Sequence, residues 1–122
     1  MLKIVLIEDD TFLSSMYATK LSLEGYKVLE AHDGEKGLRL VAKERPQLIL
    51  LDLAMPQMDG LAVLKELQND PLLNQIPVID LSNLGERASI DEALKLGAKD
   101  YLIKAHFLPS EVITKVKKVL GK

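Results

Sequence analysis

Short apolar runs alternate with longer stretches in which apolar residues recur every three or four positions, and the alternation repeats along the whole chain. Ile4-Val5-Leu6-Ile7 has the length and branching of a buried strand. From Thr11 to Glu24, residues Phe12, Leu13, Met16, Tyr17 and Leu21 fall at helical spacing, and Gly25 suits a helix stop. Val28-Leu29 predicts a second strand closed by Asp33-Gly34, and Leu38, Val41 and Ala42 mark a second helix that Pro46 ends. Leu48 to Leu51 is a third strand, and Leu61, Leu64 and Leu67 stripe a third helix that stops near Asn69-Asp70-Pro71. Pro77 introduces a fourth strand at Val78-Ile79. Ile90, Ala93 and Leu94 stripe the next helix, up to Gly97. Tyr101-Leu102-Ile103 is the last strand, and Val112, Ile113, Val116, Val119 and Leu120 form a helical stripe opened by Pro109.

Strands that are apolar almost throughout are buried on both faces, which predicts a parallel sheet with helices on each side. The expected fold is α/β: a doubly wound five-stranded parallel sheet, flavodoxin-like (βα)5, in the order 2-1-3-4-5. In such a sheet every strand ends at one edge. Glu8-Asp9-Asp10, Asp52, Ser82-Asn83 and Lys104 follow the first, third, fourth and fifth strands. The second offers only Glu30 and His32. The stretch LILLDLAMPQMDG, from Leu48 to Gly60, makes the point sharply, because its apolar run stops at a carboxylate. The crevice where the strand order reverses therefore collects acids, a hydroxyl and a lysine.

Composition narrows the classes of function. The chain has 122 residues and is read as one domain over 1–122, with no output domain. Its formal charge of −2 gives no electrostatic reason for a nucleic-acid or membrane partner. No apolar run approaches the roughly 20 residues of a membrane span, and no signal-peptide pattern opens the chain. The absence of cysteine removes disulfides, thiolate metal sites and a Cys nucleophile. A cytoplasmic location is expected.

Several carboxylates at close quarters repel one another unless a cation sits among them. A hard divalent ion with oxygen ligands fits, Mg²⁺ first and Mn²⁺ as an alternative. With Lys104 and the Ser82 hydroxyl at the same edge, the set suits the negative charge of a transferring phosphoryl group, with Asp52 as nucleophile.

VLIEDD, LILLDLAMPQMDG, LSN and DYLIK, in this order and spacing, resemble the landmarks of the receiver domain of two-component response regulators. The resemblance covers essentially the whole chain. It implies that Asp52 is the phosphoacceptor. It implies a metal site from Glu8, Asp9, Asp52 and the backbone carbonyl of Ala54, with Glu8 acting through water. It also implies that Ser82 is the switch hydroxyl, Lys104 its counter-charge and Tyr101 a rotameric aromatic. The implied donor is a sensor histidine kinase or a histidine phosphotransfer protein, and the implied receiver of the signal is an unspecified downstream protein. The chain is expected to be a monomer, or a dimer through the fourth helix, fifth strand and fifth helix once phosphorylated. No turnover on an external substrate is expected.

Two positions depart from the family pattern. Ala105 stands where a proline usually follows the lysine, so the Lys104-Ala105 bond is expected to be trans or strained. Asp80 puts an acid inside the fourth strand, on the face of Val78 and Ser82. It is either tolerated near water or a lysine, or it perturbs switching or stability. Ala54 and Leu84, apolar beside the chemistry, imply a long-lived phosphorylated state. Asp10 reads as a helix cap, and His32 and His106 read as surface residues. The basic residues Lys115, Lys117, Lys118 and Lys122 read as a solvated face.

Two rivals remain at this stage. One is a degenerate receiver acting as a phosphorylation-independent interaction module. The other is a metal-dependent aspartate-nucleophile phosphatase, which Ala54 opposes by standing where such enzymes carry a second Asp.

Overall fold

The computed structural model describes residues 1–55, 59–83, 87–104 and 109–121. Its elements run β1 (Lys3–Ile7), α1 (Thr11–Leu23), β2 (Lys27–Ala31), α2 (Gly34–Glu44), β3 (Leu48–Asp52), α3 (Gly60–Asn69), β4 (Val78–Ser82), α4 (Arg87–Lys95), β5 (Asp100–Ile103) and α5 (Pro109–Leu120). The strands form one sheet in the order β2-β1-β3-β4-β5, every neighbouring pair parallel. This is the expected doubly wound arrangement.

Each central strand divides its side chains between two cores. Ile4, Leu6, Leu48, Leu50, Ile79 and Leu81 pack against Tyr17 and Leu21 of α1 and Val112 and Val116 of α5. Val5, Ile7, Ile49, Leu51 and Val78 face Val41 of α2, Val63, Leu64 and Leu67 of α3, and Ala93 of α4. Burial on both faces is why β1, β3 and β4 read as unbroken apolar runs.

Asp10 caps α1, its carboxylate accepting the N–H groups of Phe12 at 3.0 Å and Leu13 at 3.1 Å. Asp33 and Asp59 cap α2 and α3 in the same way, accepting from Lys36 and Ala62. The helical stripes differ from the sequence pattern at three places. On α1 the buried face is Ser14, Tyr17, Ala18 and Leu21, leaving Phe12 78% exposed in the first turn. Ser14 tolerates burial because its hydroxyl donates to Glu30 at 2.8 Å. Ala42 on α2 and Leu94 on α4 face outward, one position beyond Val41 and Ala93, which point into the core. The second helix stops at Arg45, which takes a left-handed conformation with φ 43° ahead of Pro46. Among the described residues no helix is long and apolar enough to cross a membrane.

Gly60 explains part of the stretch that follows Asp52. A side chain there would run into the backbone of Asp52 and Leu53, and the Gly60 N–H donates to the Leu53 carbonyl at 3.2 Å. Only glycine allows α3 to start so close to the end of β3.

Asp80 is the exception within the core. It lies fully buried in the middle of β4, between Leu51 of β3 and Tyr101 of β5, and neither carboxyl oxygen has a hydrogen-bond partner among the described residues. Among the described residues no lysine pairs with it and no open surface reaches it, and burial pushes its pKa from 3.8 up to about 7. An acid whose pKa is raised on folding is bound to its proton more tightly in the native state. The contribution of Asp80 to stability is therefore most favourable at low pH, declines as pH rises above 3.8, and reaches its lower limit above about 7. Between pH 5 and pH 8 the protein is expected to lose about 2 kcal/mol more unfolding free energy than Asp80→Asn loses. Urea denaturation of both proteins at the two pH values measures the difference, and parallel losses would refute it.

Candidate functional site

The C-terminal edge of the sheet brings the strand-end residues together. At the end of β1 the Glu8 N–H donates to the Ala31 carbonyl at 3.0 Å, which extends the pairing with β2 and turns the Glu8 side chain inward, fully buried. Its Oε2 accepts the Asp10 N–H at 3.1 Å. Asp9, between them, is exposed. At the end of β3, Asp52 is 1% exposed, and its Oδ1 accepts the Ala54 N–H at 2.9 Å. Past β5 the Lys104 N–H donates to the Ser82 carbonyl at 2.8 Å, so the β4–β5 ladder itself delivers the lysine to this edge. From there its Nζ lies 2.7 Å from Glu8 Oε1 and 3.2 Å from Asp52 Oδ2. Oxygens of Glu8, Asp9 and Asp52 all lie within 4.8 Å of one another.

The electrostatics follow from burial. Desolvation, followed by the hydrogen bond to Asp52, pushes Glu8 from 4.5 up to about 7 against the pull of Lys104. Burial alone would raise Asp52 as well. The hydrogen bond with Glu8, the Ala54 N–H and the charge of Lys104 outweigh it and hold Asp52 below the usual aspartate value. Burial works against the charge on Lys104, but its hydrogen bond to Glu8 and the two acids together raise its pKa. Asp52 is thus the group kept ionised, as a nucleophile must be. Fully ionised, Glu8, Asp9 and Asp52 carry three negative charges against the single positive charge of Lys104. The residual two match one divalent cation, and an all-oxygen donor set with an exposed member fits a hard ion such as Mg²⁺.

Of the residues singled out in the sequence, Glu8, Asp9, Asp52 and Lys104 meet at one point. The Ala54 backbone adjoins it, and its N–H orients Asp52. Ser82 ends β4 beside them, fully buried, and its Oγ has no partner among the described residues. Tyr101 lies apart from the acids. It is half-buried, with Lys115 Nζ 5.4 Å from its ring centroid, and that same Nζ binds Asp100 Oδ1 at 2.7 Å. His32 is exposed at the sheet's β2 edge, 3.7 Å from Glu30. Leu84, Ala105 and His106 lie outside the described residues.

Tyr17 is the residue of this region that its sequence position concealed. It reads as one more apolar member of the α1 stripe. In the structure it is buried, and desolvation followed by the charges of Glu8, Asp52 and Asp10 pushes its hydroxyl far up, so it stays neutral under the acids.

Comparison with known proteins agrees with this geometry. Residues 4–117 match the model of the response regulator receiver domain. The chain is 36% identical over 118 residues to the probable transcriptional regulator ycf27 of Guillardia theta, covering 97% of this chain and 45% of that protein. It is 40% identical to the transcriptional regulatory protein CpxR of Klebsiella pneumoniae, covering 97% and 49%. The chain thus spans about half the length of these relatives. Among solved structures, the Francisella response regulator 1452 receiver domain superposes with a TM-score of 0.89 at 31% identity, covering 99% of this chain and 98% of that one. The Vibrio cholerae chemotaxis protein CheY4 gives 0.90 at 26% identity, covering 98% of each.

Removing the lysine alone would leave two buried acids facing each other. Lys104→Met is expected to lower unfolding free energy at pH 8 by about 3 kcal/mol in metal-free buffer. The loss shrinks at pH 5, where Glu8, pushed up to about 7, takes a proton and its charge repulsion with Asp52 disappears. Urea titrations at the two pH values test this, and an equal loss at both would contradict it.

Proposed function

The chain belongs to the response regulator receiver domain family, and from that premise we propose that it is a phosphorylation-controlled switch with Asp52 as its phosphoacceptor. The observation that carries this reading is Lys104 bridging Glu8 and Asp52 with Asp9 alongside. An Asp52 oxygen attacks the phosphorus of a phosphohistidine on a histidine kinase or histidine phosphotransfer protein. The P–N bond breaks, the histidine leaves, and Asp52 becomes an acyl phosphate. Lys104 then follows the charge from the Asp52 carboxylate to the phosphoryl oxygens. Ser82, at the end of β4, supplies the hydroxyl that turns toward them.

Glu8, Asp9, Asp52 and the Ala54 carbonyl would hold Mg²⁺, with Mn²⁺ a substitute. When bound it supplies a positive charge against the phosphoryl oxygens. Ala54 carries no side-chain acid or amide to guide water to the acyl phosphate, which favours a long-lived phosphorylated state. The same feature opposes turnover on an external substrate. The relatives' names as transcriptional regulators support gene expression as the output, read through a protein partner that senses the altered surface near Tyr101.

Intact-mass spectrometry after incubation with acetyl phosphate and Mg²⁺ tests the reading. One phosphoryl adduct is expected in the wild type, and none in Asp52→Asn or after chelation. An adduct that persists in Asp52→Asn would place the chemistry elsewhere. No adduct from either acetyl phosphate or a phosphohistidine donor would favour an interaction module without phosphotransfer.

A further inference from the structure

Two side chains of β4 are fully buried and hold polar atoms with no hydrogen-bond partner among the described residues: both carboxyl oxygens of Asp80 and the hydroxyl of Ser82. They stand two residues apart on one strand, so they leave the same face of the sheet about 6.6 Å apart along the chain. The surroundings of Asp80 are apolar. Leu51 is its β3 neighbour, and Leu64 and Ala93 belong to the cluster that covers this face. Among the described residues, burial is what alters its ionisation. Tyr101 flanks it on β5, but its ring lies near Lys115.

A buried hydroxyl and a buried carboxyl held apart each retain the full cost of lost hydration, and a shared hydrogen bond removes much of it. Rotation of both side chains about their Cα–Cβ bonds turns the two toward each other and brings their oxygens to roughly 3 Å. We propose that Asp80 is a positioning residue for the switch hydroxyl: its carboxyl group accepts the Ser82 O–H in the resting protein and loses it when Ser82 turns to a phosphoryl group on Asp52. Only the second half of this statement rests on the phosphoacceptor reading. Serine has one proton to donate, so the two acceptors compete. A carboxyl accepts whether neutral or ionised, which keeps Asp80 a competitor on both sides of its titration. The acid inside β4 thereby sets the threshold of the switch in favour of the resting form.

The test is a double-mutant cycle by urea unfolding on the metal-free protein, using Asp80→Val, Ser82→Ala and the pair. Ser82→Ala is expected to raise the unfolding equilibrium constant several-fold more in the wild type than in the Asp80→Val background. Asp80→Asn, whose carbonyl still accepts, keeps the coupling and serves as the gentler variant. Additive effects in both series overturn the pairing. The phosphorylated fraction at a fixed, sub-saturating acetyl phosphate concentration then tests the competition. Asp80→Val is expected to raise it by roughly tenfold where Ser82 is present and to leave it unchanged in Ser82→Ala. Equal effects in both backgrounds overturn the competition. If the wild type takes no phosphoryl group from acetyl phosphate or from a phosphohistidine donor, the phosphoacceptor reading fails, while the unfolding cycle still decides the pair.

Discussion

Lys104 standing between Glu8 and Asp52 is the contact on which the rest of the site depends. Two carboxylates buried at the ends of neighbouring strands are unstable alone, and one must give up its charge or find a cation. The lysine meets that need without removing the excess of negative charge, because Asp9 stands within reach of the same point. The site is therefore charge-deficient by construction. It is stable enough to fold and still two charges short of neutral when all its acids are ionised. Parallel topology makes this possible, since it carries the ends of β1, β3 and β5 to one edge even though Glu8 and Lys104 lie far apart in the chain. The ladder bond from Lys104 to Ser82 then carries the lysine past the end of β5.

Much of this was legible in the residues themselves. Every strand and helix expected from the apolar pattern is present, because buried strands and amphipathic helices differ in period. The acids at strand ends were legible for the same reason: a run such as LILLD ends in a carboxylate where the sheet's core gives way to its edge, and the parallel order gathers those edges in one crevice. What one dimension hides is orientation. Phe12 shares helical spacing with Tyr17 and Leu21 but sits in the first turn, beyond the sheet's cover. Tyr17 is equally apolar in pattern, yet it lies beneath the acids. Asp80 could be assigned to a face of β4 from its period of two, whereas its lack of any partner depends on residues from three strands and two helices. Gly60 likewise reads as a turn residue, and its need for glycine comes from the backbone of β3.

The two unusual acids of this fold, Glu8 and Asp80, show how context divides one chemistry. Both are fully buried, and burial lifts both to about 7. Glu8 is held in a network with a lysine and a second acid, so its charge is part of the site's balance. Among the described residues Asp80 has no hydrogen-bond partner, so its cost falls on the stability of β4. Placing such a group two residues before Ser82 links core stability to the hydroxyl that would answer a phosphoryl group.

The central claim is that this edge is two charges short and that Asp9 supplies the open side of the deficit. Calorimetric titration with Mg²⁺ at pH 8 addresses it most directly. One ion per chain is expected, with affinity falling at least about tenfold in Asp9→Asn. Equal affinity in the two proteins, or no binding to the wild type, would contradict the account.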